Sequence, residues 1–280
     1  MRDSSRAGAQ ETFGSTMAQS PEPAEAARRQ GLIEPSGRFL VLASLPGNSV
    51  ELALAAWRGG ADGLKVHLNV AHRASGIAFS GWSEEKDRIA AIQDAVPLPV
   101  GIMAGADPEK VRADLPHLVG RGFAFIDAYA HDLPAEVIVD PPAPLMVALD
   151  HRAGQQEAAT YSAMPHVAWL EASIIDPAEY GKPLTVSDLG RYQRIVQSSR
   201  RPVIVPAQKR LVPQDLHALA EVGVAGVLLG AVVFGDEPGR IEAGVREFKP
   251  RESGREPPQP HNLRKGADRR DPKRRDTTRC

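Results

Sequence analysis

Lys65, His67 and Asn69 alternate along one apolar run, residues 63–70 (GLKVHLNV), with Leu64, Val66, Leu68 and Val70 between them. A period of two is the mark of a strand, so the three polar side chains share the face opposite the apolar ones. The apolar set is expected to point to surrounding helices and the polar set inward, where burial is costly without partners. Other apolar runs supply partners: Asp127 with Tyr129, then Asp150, Glu171 with Ser173, and Lys209. Two chemistries fit such a set. Lys65, stripped of water, would have a lowered pKa and form a Schiff base with a carbonyl, while Asp127 or Asp150 moves protons. Alternatively, Asp150 and Glu171 form an acid–base pair about an enolisable carbon, with Lys65 against the enolate oxygen. Asp127, Asp150 and Glu171 are also hard oxygen ligands, which makes Mg²⁺ an alternative cofactor. Any one of these residues reads equally well as a structural ion pair. Their convergence on several strand ends favours a site, because lone core charges are rare.

The elements that must position them are regular. Eight short runs rich in β-branched residues begin near Phe39, Gly63, Pro99, Gly122, Leu145, Val167, Pro202 and Gly226, at intervals of 24, 36, 23, 23, 22, 35 and 24 residues. Each interval suits a strand, a short loop and a helix. Asp107-Pro108-Glu109, Ser83-Glu84-Glu85 and Pro213-Gln214-Asp215 read as helix openings. Glycines at 59–60, 120, 122 and 223 end helices ahead of strands. The pattern predicts an α/β fold, a single (β/α)8 TIM barrel over residues 38–249. An open doubly wound sheet is the competitor, but the first turn, Leu45-Pro46-Gly47-Asn48-Ser49, is not G-x-G-x-x-G. In such a barrel the polar residues at the C-terminal strand ends form the site. The two long intervals place extended loops there, at 72–82 and 174–188. The first holds Arg73, Ser75 and Gly76, suited to an anion.

The last two runs, PVIVPAQK from Pro202 and GVLLGAVVFG from Gly226, resemble those of the phosphate-binding TIM barrels, the ribulose-phosphate-binding superfamily. The resemblance implies that Ala207, Gln208, Gly230 and Ala231 hold a substrate or cofactor phosphate through closely approaching backbone N–H groups. Where members often show Gly-Gly after the seventh strand, this chain has Ala207-Gln208-Lys209, and Lys209 would meet the phosphate as a point charge or take part in catalysis. A shorter stretch, ADGLKVHLNV from Ala61, then Phe79-Ser80-Gly81-Trp82 and Pro99-Val100, looks like FMN-dependent barrels such as type 2 isopentenyl-diphosphate isomerase. That resemblance implies FMN as an alternative cofactor and an oxidoreductase or isomerase. The leading expectation needs no cofactor. It is an enzyme, a lyase of aldolase type or an isomerase, for a small phosphorylated carbonyl compound. Lys65, His67, Asp127, Asp150, Glu171 and Lys209 would be catalytic; Asn69, Arg73, Ser75, Ser173, Ala207, Gln208, Gly230 and Ala231 would bind substrate. A non-catalytic phospholigand-binding barrel is the third class.

Composition narrows the rest. The chain has 280 residues and a formal net charge of -1, which divides into a body and leader of -6 and a segment after Pro250 of +5. Residues 1–37 are polar and expected to be disordered or partly helical over 23–33, with Met17 as an alternative start. Residues 250–280 read as a disordered basic tail. Aspartates interrupt its arginines and no aromatic residue interleaves them, so a nucleic-acid partner is not expected. The lone cysteine, Cys280, leaves no internal disulfide or Cys-based zinc site. No apolar run reaches the roughly 18 residues of a membrane span, and no apolar leader is present, so a cytoplasmic location is expected. Homo-oligomerisation stays open.

Overall fold

The computed structural model describes residues 38–72 and 76–249. Arg73 and Ser75, and both terminal segments, lie outside the described residues. Eight parallel strands close in chain order: β1 (Leu40–Ser44), β2 (Gly63–His67), β3 (Val100–Met103), β4 (Ile126–Tyr129), β5 (Leu145–Leu149), β6 (Val167–Ala172), β7 (Val203–Pro206) and β8 (Gly226–Leu229), with β8 pairing back to β1. Seven strands start within one residue of the expected positions. The fourth starts late as a regular strand, although its backbone already joins the ladder at Ala124, whose N–H reaches Val100 O.

The helices are α1 (Val50–Gly59), α2 (Trp82–Ala95), α3 (Pro108–Leu118), α4 (Gln155–Ser162), α5 (Val186–Ser198), α6 (Asp215–Glu221), the one-turn α7 (Ala231–Phe234) and α8 (Pro238–Phe248). Asp107 caps α3 as expected, accepting from the N–H groups of Glu109 and Lys110. Gly60 and Gly223, at φ of 93° and 87°, leave their helices in the left-handed region that glycine tolerates. One unit departs from the expected strand–helix repeat. Between β4 and β5 there is only a 3₁₀ turn, Ala135–Ile138. Pro134, Pro141, Pro142 and Pro144 leave no stretch there long enough for an α-helix.

Two apolar layers follow from strand alternation. Outward residues such as Val41, Leu64, Val66, Ile102, Val147, Leu170 and Val205 pack under the helices, each worth about 1.5–3 kcal/mol when fully buried. Inward residues Leu40, Leu42, Phe125, Met146, Trp169, Ile204 and Leu228 plug the lower barrel. Gly101 makes room for that plug, since a Cβ there would lie 2.1 Å from the Phe125 ring. Above the plug the inward residues turn polar.

Candidate active site

Lys65, Asp127 and Glu171 sit immediately above the apolar plug. They come from β2, β4 and β6, and alternate strands of a barrel contribute to one interior layer. That arithmetic brings together residues far apart in sequence. The Lys65 Nζ donates to Asp127 Oδ2 at 2.5 Å and to Glu171 Oε2 at 2.6 Å. All three are buried, Asp127 completely. Its Oδ1 has no hydrogen-bond partner, although Asp127 lines the cavity above it.

Burial and the negative charge of Glu171 push the Asp127 carboxyl well above the usual carboxylate range, against the opposing pull of Lys65. Burial alone would lower the Lys65 ammonium, but the two carboxylates outweigh it and hold the group above its ordinary value. The cluster therefore carries a charged lysine beside an aspartic acid that resists ionisation. A lysine held charged counts against the Schiff-base expectation, because nucleophilic attack needs a neutral amine. The Mg²⁺ alternative fares no better. The ammonium holds the position between two of the three carboxylates, and the third, Asp150, lies at the cavity mouth. Among the described residues no group of His, Cys, Asp and Glu converges as a metal site.

The cavity measures about 490 Å³ and opens at the C-terminal ends of the strands. On one side Ser44, at the end of β1, meets His67 Nε2 at 3.2 Å, and the His67 ring stacks on Phe79. On the other, Tyr129 and Ser173 share a hydroxyl contact of 3.1 Å. Burial foremost, with a smaller effect of the Glu171 charge, pushes the Tyr129 hydroxyl up to about 12, so it remains a donor at neutral pH. Gln208 knits the wall together. Its Nε2 donates to Ser173 Oγ at 3.0 Å and to Tyr180 Oη at 2.5 Å, and its Oε1 accepts from Ile175 N. This fastens the long β6 loop, which also bonds through Gly181 N to Gln208 O. At the mouth, Asp150 accepts from Arg152 at 2.6 Å, and that bond holds its carboxyl below the usual range.

Two of the expected residues point elsewhere. Asn69 does not continue the inward ladder. The strand ends at His67, the backbone enters the left-handed region at Asn69 (φ 49°), and its amide donates to Asp114 at 2.7 Å, while Val70 lines the cavity instead. Lys209 lies three residues past the end of β7, beyond the point where Gln208 N turns back to Pro206 O. Its ammonium reaches Asp188 at 3.3 Å and Glu179 at 3.4 Å rather than the cavity. Ala207, Gln208, Gly230 and Ala231 all line the cavity, with a difference. The N–H of Ala207 is committed to Leu228 O and that of Gln208 to Pro206 O, so these two offer no backbone donor to an anion. Gly230, Ala231 and Val232 lie ahead of the first bond of α7, from Val233 N to Gly230 O, where N–H groups have no intrahelical partner.

Ser44, His131 and Tyr180 also line the cavity and were not expected from the sequence. Ser44 was within reach of the alternation rule, two residues beyond the inward Leu42. Tyr180 sits in an aperiodic loop that carries no such signal.

No family model matches the chain, and no curated protein matches it. Solved structures do. The tryptophan synthase α-subunit of Pyrococcus furiosus is 14% identical, covering 76% of this chain and 97% of that one at a TM-score of 0.53. The N-(5'-phosphoribosyl)anthranilate isomerase of the same organism is 14% identical over 75% and 98%, with a TM-score of 0.52. The YdjI aldolase of Escherichia coli is 11% identical over 79% and 91%, with a TM-score of 0.50. At these identities the likeness is one of fold: the chain is a closed (β/α)8 barrel like these.

Proposed function

We propose that the barrel is an isomerase or lyase for a small phosphorylated carbonyl compound, working by proton transfer on the Lys65–Asp127–Glu171 cluster. One observation carries the reading: a fully buried carboxyl, in a residue that lines the cavity, with one oxygen that makes no hydrogen bond, beside a lysine held charged. Perturbed ionisable groups in clefts cluster at functional sites. Glu171 takes the proton from the carbon next to the carbonyl. The electrons pass to the carbonyl oxygen, where the Lys65 ammonium stabilises the negative charge and Asp127 gives its proton. From the enediol, the adjacent hydroxyl gives its proton to Asp127 as its carbon becomes the new carbonyl, and Glu171 returns its proton to the former carbonyl carbon, which isomerises the compound. If instead the electrons expel a group from the next carbon, which leaves with its bonding pair and takes the proton from Glu171, the enzyme is a lyase. Tyr129 and Ser173 orient the substrate hydroxyls, and His67 faces its other side.

The phosphate belongs at Gly230–Val232. The support is the partnerless N–H groups of residues that line the cavity, with Gly230 as the position of closest approach. One fold neighbour acts, by its name, on a phosphoribosyl compound, which agrees. The test is solvent exchange. A panel of phosphorylated aldoses and ketoses is incubated with the protein in D₂O, and loss of the signal next to the carbonyl is followed by proton NMR. Exchange with at least one member, slowed roughly 10²- to 10⁴-fold by Glu171→Gln, is expected. Absence of exchange with every member, together with no effect of phosphate on the Gly230 amide, would overturn the reading.

A further inference from the structure

The missing fourth helix leaves a second cavity of about 580 Å³ against the outer wall of β5, between the 3₁₀ turn and α4. Its lining is largely apolar: Leu133, Val137, Ile138, Val147, Leu149 and Met164. In the other units a helix covers such outward strand residues; here one turn does not. The cavity is continuous in its lining with the inner one. His131, Ala148, Asp150 and Arg152 border both, and the Asp150–Arg152 pair stands between them.

We infer that this side cavity is a substrate subsite, which takes an apolar group, aromatic or branched aliphatic, of the compound whose reacting part lies on Lys65. The inference rests on the proposed function and sharpens its substrate class from phosphorylated carbonyl compounds in general to those with an apolar arm. Three observations carry it. The volume lies within the range of small-molecule sites, and the lining is the mostly apolar kind with few polar groups that such sites use. The shared residues place the cavity at the mouth of the inner one, where an arm leaving the reacting centre would emerge. The polar residues between the two are suited to a boundary, since the exposed side chains of Arg152 and His131 both pair with Asp150 there. The occupant is thus the arm of the same ligand, reached over the end of β5.

Methyl-labelled protein is titrated with inorganic phosphate, 6-phenylhexyl phosphate and 6-phenyl-1-hexanol, and followed by NMR. Inorganic phosphate is expected to shift the amides of Gly230 and Ala231 and to leave the methyls of Leu133, Ile138, Val147 and Met164 in place. The phenylhexyl ester is expected to shift both sets and to bind about tenfold more tightly or better, since several methylenes and a ring leave water. Ala153→Trp, which fills the side cavity, should remove that gain and leave the affinity for inorganic phosphate unchanged. Ile138→Asp should do the same and serves where the tryptophan disturbs folding. The alcohol separates the two claims. If it shifts the side methyls while phosphate shifts no amide, the anion site fails and the apolar subsite stands. If neither the ester nor the alcohol moves those methyls, or the gain survives both variants, the subsite is overturned. A cavity serving as a contact between copies would show instead as a changed sedimentation coefficient of Ile138→Asp with probe affinity untouched, which also overturns it.

Discussion

Lys65 and Lys209 make an instructive pair. Both are buried on barrel strands or their ends, and each reaches two carboxylates. Their surroundings differ in kind. Lys65 points inward, with contacts of 2.5 and 2.6 Å to carboxylates that are themselves buried, and its cluster lines a cavity and keeps one carboxyl oxygen without a hydrogen bond. Lys209 points outward, at 3.3 and 3.4 Å, to Asp188 and to a Glu179 side chain that is 44% exposed and already bonded to Lys182. Burial and residue type are the same; direction and the state of the partners are not. A buried ion pair is weak evidence of function on its own. The orphaned atom and the cavity separate the two.

The largest expected effect comes from Lys65→Met. Removing the ammonium strands Glu171 and Asp127 in the core, so stability should fall by about 3–5 kcal/mol in urea unfolding, and solvent exchange should vanish. Retention of both would place Lys65 with Lys209. Glu171→Gln follows: the fold should survive within about 1–2 kcal/mol while exchange slows as given above, and a slowing shared equally by Lys209→Met would erase the contrast.

A pH series sharpens it next. The Asp127 carboxyl is raised on folding, so folding favours its neutral form. That contribution is fully present below its ordinary value, 3.8, and is lost as pH rises toward the raised one. Wild type should therefore lose stability relative to Asp127→Asn from about pH 4 upward, at no more than about 1.4 kcal/mol per pH unit. A relative gain over that window would mean a carboxylate stabilised by Lys65 rather than a carboxyl kept neutral. The smallest effect on exchange belongs to Lys209→Met, expected to change it no more than about threefold while costing about 1–3 kcal/mol in thermal unfolding.

These two lysines also mark how far sequence reasoning reached. The barrel was legible because outward strand positions must be apolar to meet the helices, and the glycine and proline signals that close each unit are local. The meeting of Lys65, Asp127 and Glu171 was legible too, as polar residues on inward positions of β2, β4 and β6. Ambiguity entered at the strand ends. One residue of continuation decides the face, and neither the turn at Asn69 nor the turn after Pro206, which carries Lys209 to Asp188 and Glu179, was resolved by residue type. The direction of the Lys65 shift depended on two partners arriving from distant strands. The prolines that replace the fourth helix were present in the sequence, yet the even interval of 23 residues concealed them. Ala207, Gln208, Gly230 and Ala231 were legible as positions at the strand ends that line the cavity; the bonds that commit the N–H groups of Ala207 and Gln208 were not, because they depend on the local backbone of the closed sheet.

The account stands most directly on the proton held by Asp127. Carbon-13 NMR of aspartate carboxyl groups, with Asp127→Asn supplying the assignment, measures it without any substrate. The prediction is an Asp127 signal that titrates well above the ordinary carboxylate range and shifts on Lys65→Met. A signal that titrates in the ordinary range near 3.8 would contradict the account and leave Lys65, like Lys209, a structural cation.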